Sequence, residues 1–320
     1  MSLPAQKYKK ALILGAAGFI GINLVKELVR AGFEVVCFDI VISKQWPDGV
    51  RAIVGDFLRP PAELLAEMDQ AYIFHLVSSC RPSPSTTQAA NEVSRDLVST
   101  INYLEYTKDK DVRWIFLSSG GTVYGQKDAG LISESSTTDP ISSYGLVKLS
   151  IERYFDLYRK SYDLDFIVIR LSNPYGPWQD PQRGQGIVAA LIYKALTHQT
   201  IDIWGDGSIV RDYIYITDAI EGILQAGILG TSGDIFNVGT GIGTSIVELV
   251  EKISHSLGIP ISVQHSAPRF VDVQSNVLDS RKLLSKTSWC PSTNLDVGIS
   301  STAMWMKNTF LQSHSSSADR

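Results

Sequence analysis

The sequence predicts an α/β fold built on a doubly wound parallel sheet, with a second, smaller lobe at its C-terminal side. Short apolar runs recur along the first half of the chain, and segments with apolar residues at helical spacing separate most of them. After about residue 172 the texture changes to loops rich in Pro, Gly, Gln and Asp between shorter elements. Apolar strands that alternate with helices are covered on both faces, which calls for parallel strands and right-handed crossovers.

The elements follow in order. Residues 11–14 (ALIL) are an apolar run ending in glycine, hence a buried parallel strand. Residues 20–31 carry apolar positions at helical spacing, and Gly32 stops them. Residues 34–39, 52–56, 71–76, 113–118 and 166–171 repeat the strand pattern. Helical patterns lie between them, near 61–68, 92–108 and 145–161. This divides the chain into a first domain over 1–172, completed by about 212–240, and a second lobe over 173–211 and 241–311. Residues 312–320 are polar and Ser-rich and read as a frayed tail.

Bulk composition bounds the function. With 44% hydrophobic and 19% charged residues, the 320-residue chain suits a folded globular protein. A net charge of −4 offers no general attraction to nucleic acid or to an anionic membrane. An anionic ligand must therefore be held by a few placed arginines. Cys37, Cys80 and Cys290 form neither a CxxC pair nor a disulfide framework, which points to a reducing compartment such as the cytoplasm. Residues 1–10 are polar and basic without an uninterrupted apolar core after them, so no signal peptide is expected. No metal-ligand spacing is present.

Two motifs carry chemistry. Gly15, Gly18 and Gly21 sit between a predicted strand and helix, where backbone N–H groups can approach a pyrophosphate and the helix N-terminus favours its charge. Asp39 ends the next strand, 18 residues after Gly21. A carboxylate there accepts from adenosine ribose hydroxyls and repels a 2′-phosphate, which favours NAD over NADP. Asp56 and Phe57 follow the third strand and are candidates to meet the adenine. Tyr144 and Lys148 are i and i+4 on one helix face. A nearby ammonium lowers a tyrosine pKa from about 10 towards neutrality, which makes the phenol a general base or acid. Upstream, residues 118–125 (SSGGTVYG) follow a core strand, where ligands of such sheets bind.

The ordered set GAAGFIG, Asp39, Gly55-Asp56, His75-Leu76, SSGGTVYG, YGLVK, RLSNPYGP, WGDG and RDYIYITD resembles the extended short-chain dehydrogenase/reductase family. Within it, the chain is similar to the NAD-dependent nucleotide-sugar epimerases of the UDP-glucose 4-epimerase group, from about residue 10 to 311. The resemblance implies a Rossmann domain, NAD as cofactor, a nucleotide-sugar substrate and a homodimer. It makes Tyr144 the catalytic base and Lys148 its partner and a ribose ligand. Phe19, Ile20, Leu76 and Ser118 join the glycines and the two aspartates as cofactor contacts. Asn173, Arg211 and Arg269 fall where the family holds the substrate diphosphate, and Trp204 where an aromatic packs on the uracil. Arginine forks match phosphate oxygens.

The pattern departs in places. The family's catalytic Ser or Thr falls on Gly120, so Ser119, Thr122 or a bound water is expected to take its role, with Thr122 preferred. Glu92 replaces an Asn near the cofactor. Dehydratases of the family carry an acidic pair where this chain has Gly121 and Thr122. Asn276 falls at the position lining the hexose pocket, and an asparagine there is expected to admit N-acetylated hexosamines. Tyr154, Phe155 and Tyr158 are candidates for a dimer interface.

Overall fold

The computed structural model describes residues 6–79, 89–128, 130–184, 186–267 and 273–311. In chain order it begins β1 (Lys10–Leu14), α1 (Phe19–Arg30), β2 (Glu34–Asp39), β3 (Arg51–Val54), α2 (Ala62–Ala66) and β4 (Ala71–His75). Then come α3 (Ala89–Glu92), a π-helical stretch (Val93–Val98), α4 (Ser99–Thr107), β5 (Val112–Ser119), α5 (Ser143–Tyr162) and β6 (Asp165–Leu171). The second half has β7 (Asn173–Tyr175), α6 (Ile187–Leu196), β8 (Ile201–Trp204), β9 (Val210–Tyr215), α7 (Ile216–Leu229) and β10 (Ile235–Val238). It ends with β11 (Gly243–Ser245), α8 (Ile246–Leu257), β12 (Val263–Ser266), β13 (Ser275–Asn276), α9 (Arg281–Lys286) and α10 (Leu295–Trp305).

The large sheet runs β10-β6-β5-β4-β1-β2-β3, and every pair in it is parallel. Strand order reverses between β1 and β4, which opens a crevice at their carboxyl ends. In β1, Ala11 and Ile13 face one layer with Leu24 and Leu28 of α1 and Ile220 of α7. Leu12 and Leu14 face the other, with Leu104 of α4 and Val147 and Ile151 of α5. Both faces are covered, and that is why the strands read as unbroken apolar runs. The Ser142 hydroxyl starts α5 by accepting from Gly145 N at 3.2 Å, and Asp163 closes it in the left-handed region at φ 58°.

The smaller lobe is centred on β9, which pairs parallel with β7 and β13 and antiparallel with β11. β8 and β12 form a separate pair. α6, α8 and α10 close a third core around Leu191, Leu249 and Ile299. Residues 210–215 thus belong to the small sheet, and α7 and β10 return the chain to the large one.

One expectation is corrected here. Phe155 and Tyr158 are buried, at 0% and 5% exposure, so they do not feed an interface. Phe155 packs among Trp114, Phe116 and Phe166 at centroid distances of 5.4–5.7 Å. The exposed large apolar side chains of α5 are Leu146, Leu157 and Tyr162. Among the described residues, no helix is long and apolar enough to cross a membrane.

Candidate functional site

The glycine loop is shaped by close approach. Gly15 has φ +91°, and its N–H and that of Ala16 both donate to the Phe38 carbonyl, at 2.9 and 3.2 Å. A Cβ on Gly21 would lie 2.4 Å from the Gly15 carbonyl, so the helix can pack on the loop only without one. Gly18 differs: a Cβ there would meet only Gly15 O, at an ordinary 3.5 Å. Among the described residues nothing demands glycine at 18, so the space it spares is left open. No side chain caps α1, which leaves its first N–H groups without a side-chain acceptor. Spare room and a bare helix N-terminus fit a pyrophosphate.

Asp39 stands at the rim of this loop. Its carboxylate accepts from Ala17 N at 2.8 Å and Ile40 N at 2.7 Å, which ties the loop to the end of β2. Trp46 adds a second tie, donating its indole N–H to Ala16 O at 2.9 Å. Phe19 and Ile20 are half-buried against the α1 layer, and Leu76 N donates to Leu14 O at 2.9 Å. Asp56 is exposed and pairs with Arg95 at 3.4 Å. Phe57 is buried and stacks on Tyr103 at 4.6 Å.

Tyr144 is half-buried in the first turn of α5. Lys148 is 3% exposed, donates to Leu117 O at 3.0 Å, and lies 5.8 Å from the Tyr144 ring centre. The structure brings the pair together at the carboxyl end of β5. One turn further along the same face lies Glu152. It forms a buried ion pair with Arg170 of β6 at 2.7 Å and accepts from the Ser118 hydroxyl. Ser118 is therefore committed inward through its side chain.

The turn 119–122 packs against the start of α5, since a Cβ on Gly145 would lie 2.9 Å from Thr122 O. Among the described residues, the buried Thr122 hydroxyl has no hydrogen-bond partner. Beside Gly121, at 3.9 and 4.0 Å from where a Cβ would stand, are Ser119 Oγ and Asn173 Oδ1. Asn173 is fixed by donating to Asp212 O at 3.0 Å. Asn276 of β13 is 1% exposed and donates to Gly120 O at 3.0 Å, and among the described residues its Oδ1 has no hydrogen-bond partner. It lies opposite Arg211 in the β13–β9 pairing.

In the small lobe, Arg211 donates to the carbonyls of Val210 and Val273 at 2.9 and 2.6 Å. Trp204 is 44% exposed and lines a cavity of about 840 Å³ with Asp206, Ser208, His265 and Gln274. Arg269 lies outside the described residues, as does Cys80.

Sequence reasoning missed three supports. Glu152 is in phase with Tyr144 and Lys148 at i+8 and i+4, and Arg170 is the single charge in the run FIVIRL. That combination was the available signal. Asp212, fully buried, accepts from Thr240 N and its hydroxyl, Gly241 N and Leu278 N at 2.6–3.2 Å. Burial pushes its pKa up, against those four donors. It joins β9 to the loop after β10 and to the segment after β13. No sequence signal marks it apart from its neighbours in RDYIYI.

Comparison with known proteins follows the same lines. Residues 11–239 match the model of the NAD dependent epimerase/dehydratase family. The chain is 34% identical over 309 residues to a UDP-glucose 4-epimerase of Mycolicibacterium smegmatis, covering 93% of this chain and 99% of the relative. It is similar to the crystal structure of a UDP-glucose 4-epimerase from Thermotoga maritima with UDP-glucose: 29% identity, TM-score 0.88, 94% of this chain and 99% of that one. A UDP-glucose 4-epimerase from Thermus thermophilus in complex with NAD gives 28% identity and a TM-score of 0.87, over 94% and 99% of the two chains.

Proposed function

The chain belongs to the NAD dependent epimerase/dehydratase family, and on that premise we propose that it is a 4-epimerase of a nucleotide diphosphate sugar, a UDP-hexose or UDP-N-acetylhexosamine. Its cofactor is NAD. The glycine loop, the α1 N-terminus and Asp39 would hold it, with Lys148 at the nicotinamide ribose. When bound, NAD supplies a hydride acceptor for C4 of the sugar and a donor that returns it.

The chain's own part is proton transfer and positioning. Tyr144 takes the proton of the sugar 4-hydroxyl and later gives it back. Lys148, held rigid by Leu117 O, places a positive charge beside the phenol and favours phenolate. The Thr122 hydroxyl, buried next to the start of α5 and without a partner among the described residues, orients the reacting oxygen. Ser119 is the other hydroxyl within this turn. Asn173, Arg211 and Arg269 take the diphosphate, and Trp204 packs on the base. The 4-keto sugar turns over within the site and is reduced on its other face.

The observation that carries this reading is the Tyr144–Lys148 pair at the crevice, in a chain with no acid at 121 or 122. Elimination of a 6-hydroxyl needs an acid and a base there. The groups beside Gly121 are a hydroxyl and an amide instead. The test is a panel of UDP-, GDP- and dTDP-sugars with product analysis. A 4-epimer from a UDP-sugar is expected; a 4-keto-6-deoxy product would overturn the reading.

A homodimer fits the exposed apolar side chains of neighbouring helices: Val98 at the end of the π-helical stretch, and Leu146 and Leu157 on α5. Sedimentation of the parent and of Leu146→Glu/Leu157→Glu checks it; a monomeric parent would sink it.

A further inference from the structure

Two side chains of α1 reach across to the segment that opens the smaller lobe. Asn23 donates from Nδ2 to Phe19 O at 2.9 Å and to Pro177 O at 3.1 Å. An amide NH2 carries two hydrogens, so one side chain serves both carbonyls at once. Phe19 is the first residue of α1, next to the glycine loop, and Pro177 follows β7, which begins at Asn173. Lys26 lies one turn beyond Asn23 on the same helix face. Its ammonium sits 4.0 Å from the centre of the Trp178 ring, and burial pushes its pKa down. A desolvated ammonium gains more from an aromatic face than a hydrated one. Trp178 in turn meets Trp305, the last residue of α10, edge to face at 5.5 Å.

Trp178 is held in a backbone conformation that a bulky side chain does not choose. Its φ is +74°, in the left-handed region. Such a conformation lasts only while the contacts around it outweigh the strain. Here these are the Lys26 ammonium and the Asn23–Pro177 bond from the larger domain, and the Trp305 ring from the smaller lobe. The chain just before it has no slack. A Cβ on Gly176 would lie 2.5 Å from Ile216 Cγ2, so the backbone packs directly on the start of α7. The segment thus has two settings: clasped, with Trp178 strained, and released, with Trp178 relaxed.

We infer that Asn23, Lys26 and Trp178 form a clasp that couples the cofactor site to the substrate site, so that a dinucleotide at the glycine loop and a nucleoside diphosphate at Asn173 each tighten the other. The inference goes beyond the proposed function and rests on it only for the diphosphate at Asn173. A pyrophosphate on the α1 N-terminus orders the first turn of the helix, and with it Phe19 O. A diphosphate at Asn173 orders β7, and with it Pro177 O. The Asn23 amide then spans two fixed carbonyls, and both ligands favour the clasped setting. The three are positioning residues, acting through Phe19 and Asn173.

The test measures NAD affinity of the holoprotein by equilibrium dialysis, alone and with saturating UDP, GDP or dTDP. In the parent, at least one diphosphate should tighten NAD by about fivefold or more, the lower end of the usual coupling between sites. Trp178→Gly keeps the backbone path, since glycine takes a φ of +74° without strain, and removes the ring. Lys26→Met keeps the ring and removes the charge. In both variants the tightening should fall to about twofold or less, with NAD affinity in the absence of diphosphate within about twofold of the parent. Direct contact between the two ligands would survive both substitutions, and a purely structural loss would weaken NAD with and without diphosphate alike. Equal tightening in parent and variants, or no tightening in the parent, overturns the inference. Dialysis reads binding without turnover. A parent that shows the tightening but epimerises no nucleotide sugar sinks the proposed function and leaves this inference standing.

Discussion

Glu152 and Arg170 form an ion pair at 2.7 Å with side chains only 2–3% exposed, one helical turn from Lys148. Glu152 also accepts from Ser118, and Arg170 lies 4.8 Å from the Tyr124 ring centre. The pair bolts the active face of α5 to β5 and β6. Removing one partner leaves the other charge buried alone, so Glu152→Gln should cost about 3–5 kcal/mol of stability. Glu152→Met/Arg170→Met should recover much of that loss. Chemical denaturation checks both; a double variant as unstable as the single one would contradict the charge argument.

Tyr144→Phe should fold, retain NAD and lose turnover by about 10² to 10⁴-fold, the usual worth of general acid–base catalysis. Only the phenol oxygen is removed from a half-buried position. Steady-state rates with bound NAD quantified by absorbance check this. Near-parental turnover would remove Tyr144 from the mechanism.

Asp39→Ala should weaken NAD binding and relax discrimination against NADP. The carboxylate holds Ala17 N at 2.8 Å as well as standing where the ribose hydroxyls are expected, so the loop also loosens. Titrations with both cofactors are the measurement. Unchanged affinity and preference would reduce Asp39 to a loop tie.

Much of this architecture was legible in the sequence. Strands buried on both faces announce themselves as apolar runs, as in residues 11–14 and 113–118, and Gly21 is required by contacts six residues away in sequence. Tyr144 and Lys148 are i and i+4, so a helix alone brings them together. What stayed hidden depends on long-range register. Asn276 reaches Gly120 across 156 residues, and Asp212 meets Leu278 across 66. Phe155 misled because an aromatic on a helix looks the same in sequence whether it faces a partner subunit or fills the core.

His75 gives a pH prediction. It is fully buried; its Nε2 bonds to Thr100 Oγ1 at 2.8 Å, and that hydroxyl donates to Asp96 O at 2.6 Å. Burial, and then the Lys148 charge, hold the imidazole pKa well below the usual range. The unfolded chain gains a proton at His75 below about pH 6.5 while the folded chain does not, so stability falls as pH drops below that value. His75→Asn should flatten this part of the stability profile. An unchanged slope between about pH 7 and 5 would contradict the assignment.

The central claim is that the sugar is oxidised and re-reduced at C4 within one site. It is tested most directly with a nucleotide sugar, drawn from whichever of the panel turns over, labelled with deuterium at C4. The account predicts the 4-epimer with the deuterium still at C4, because the hydride that leaves is the hydride that returns. Loss of the label to solvent, or a product unchanged in C4 configuration, would contradict it.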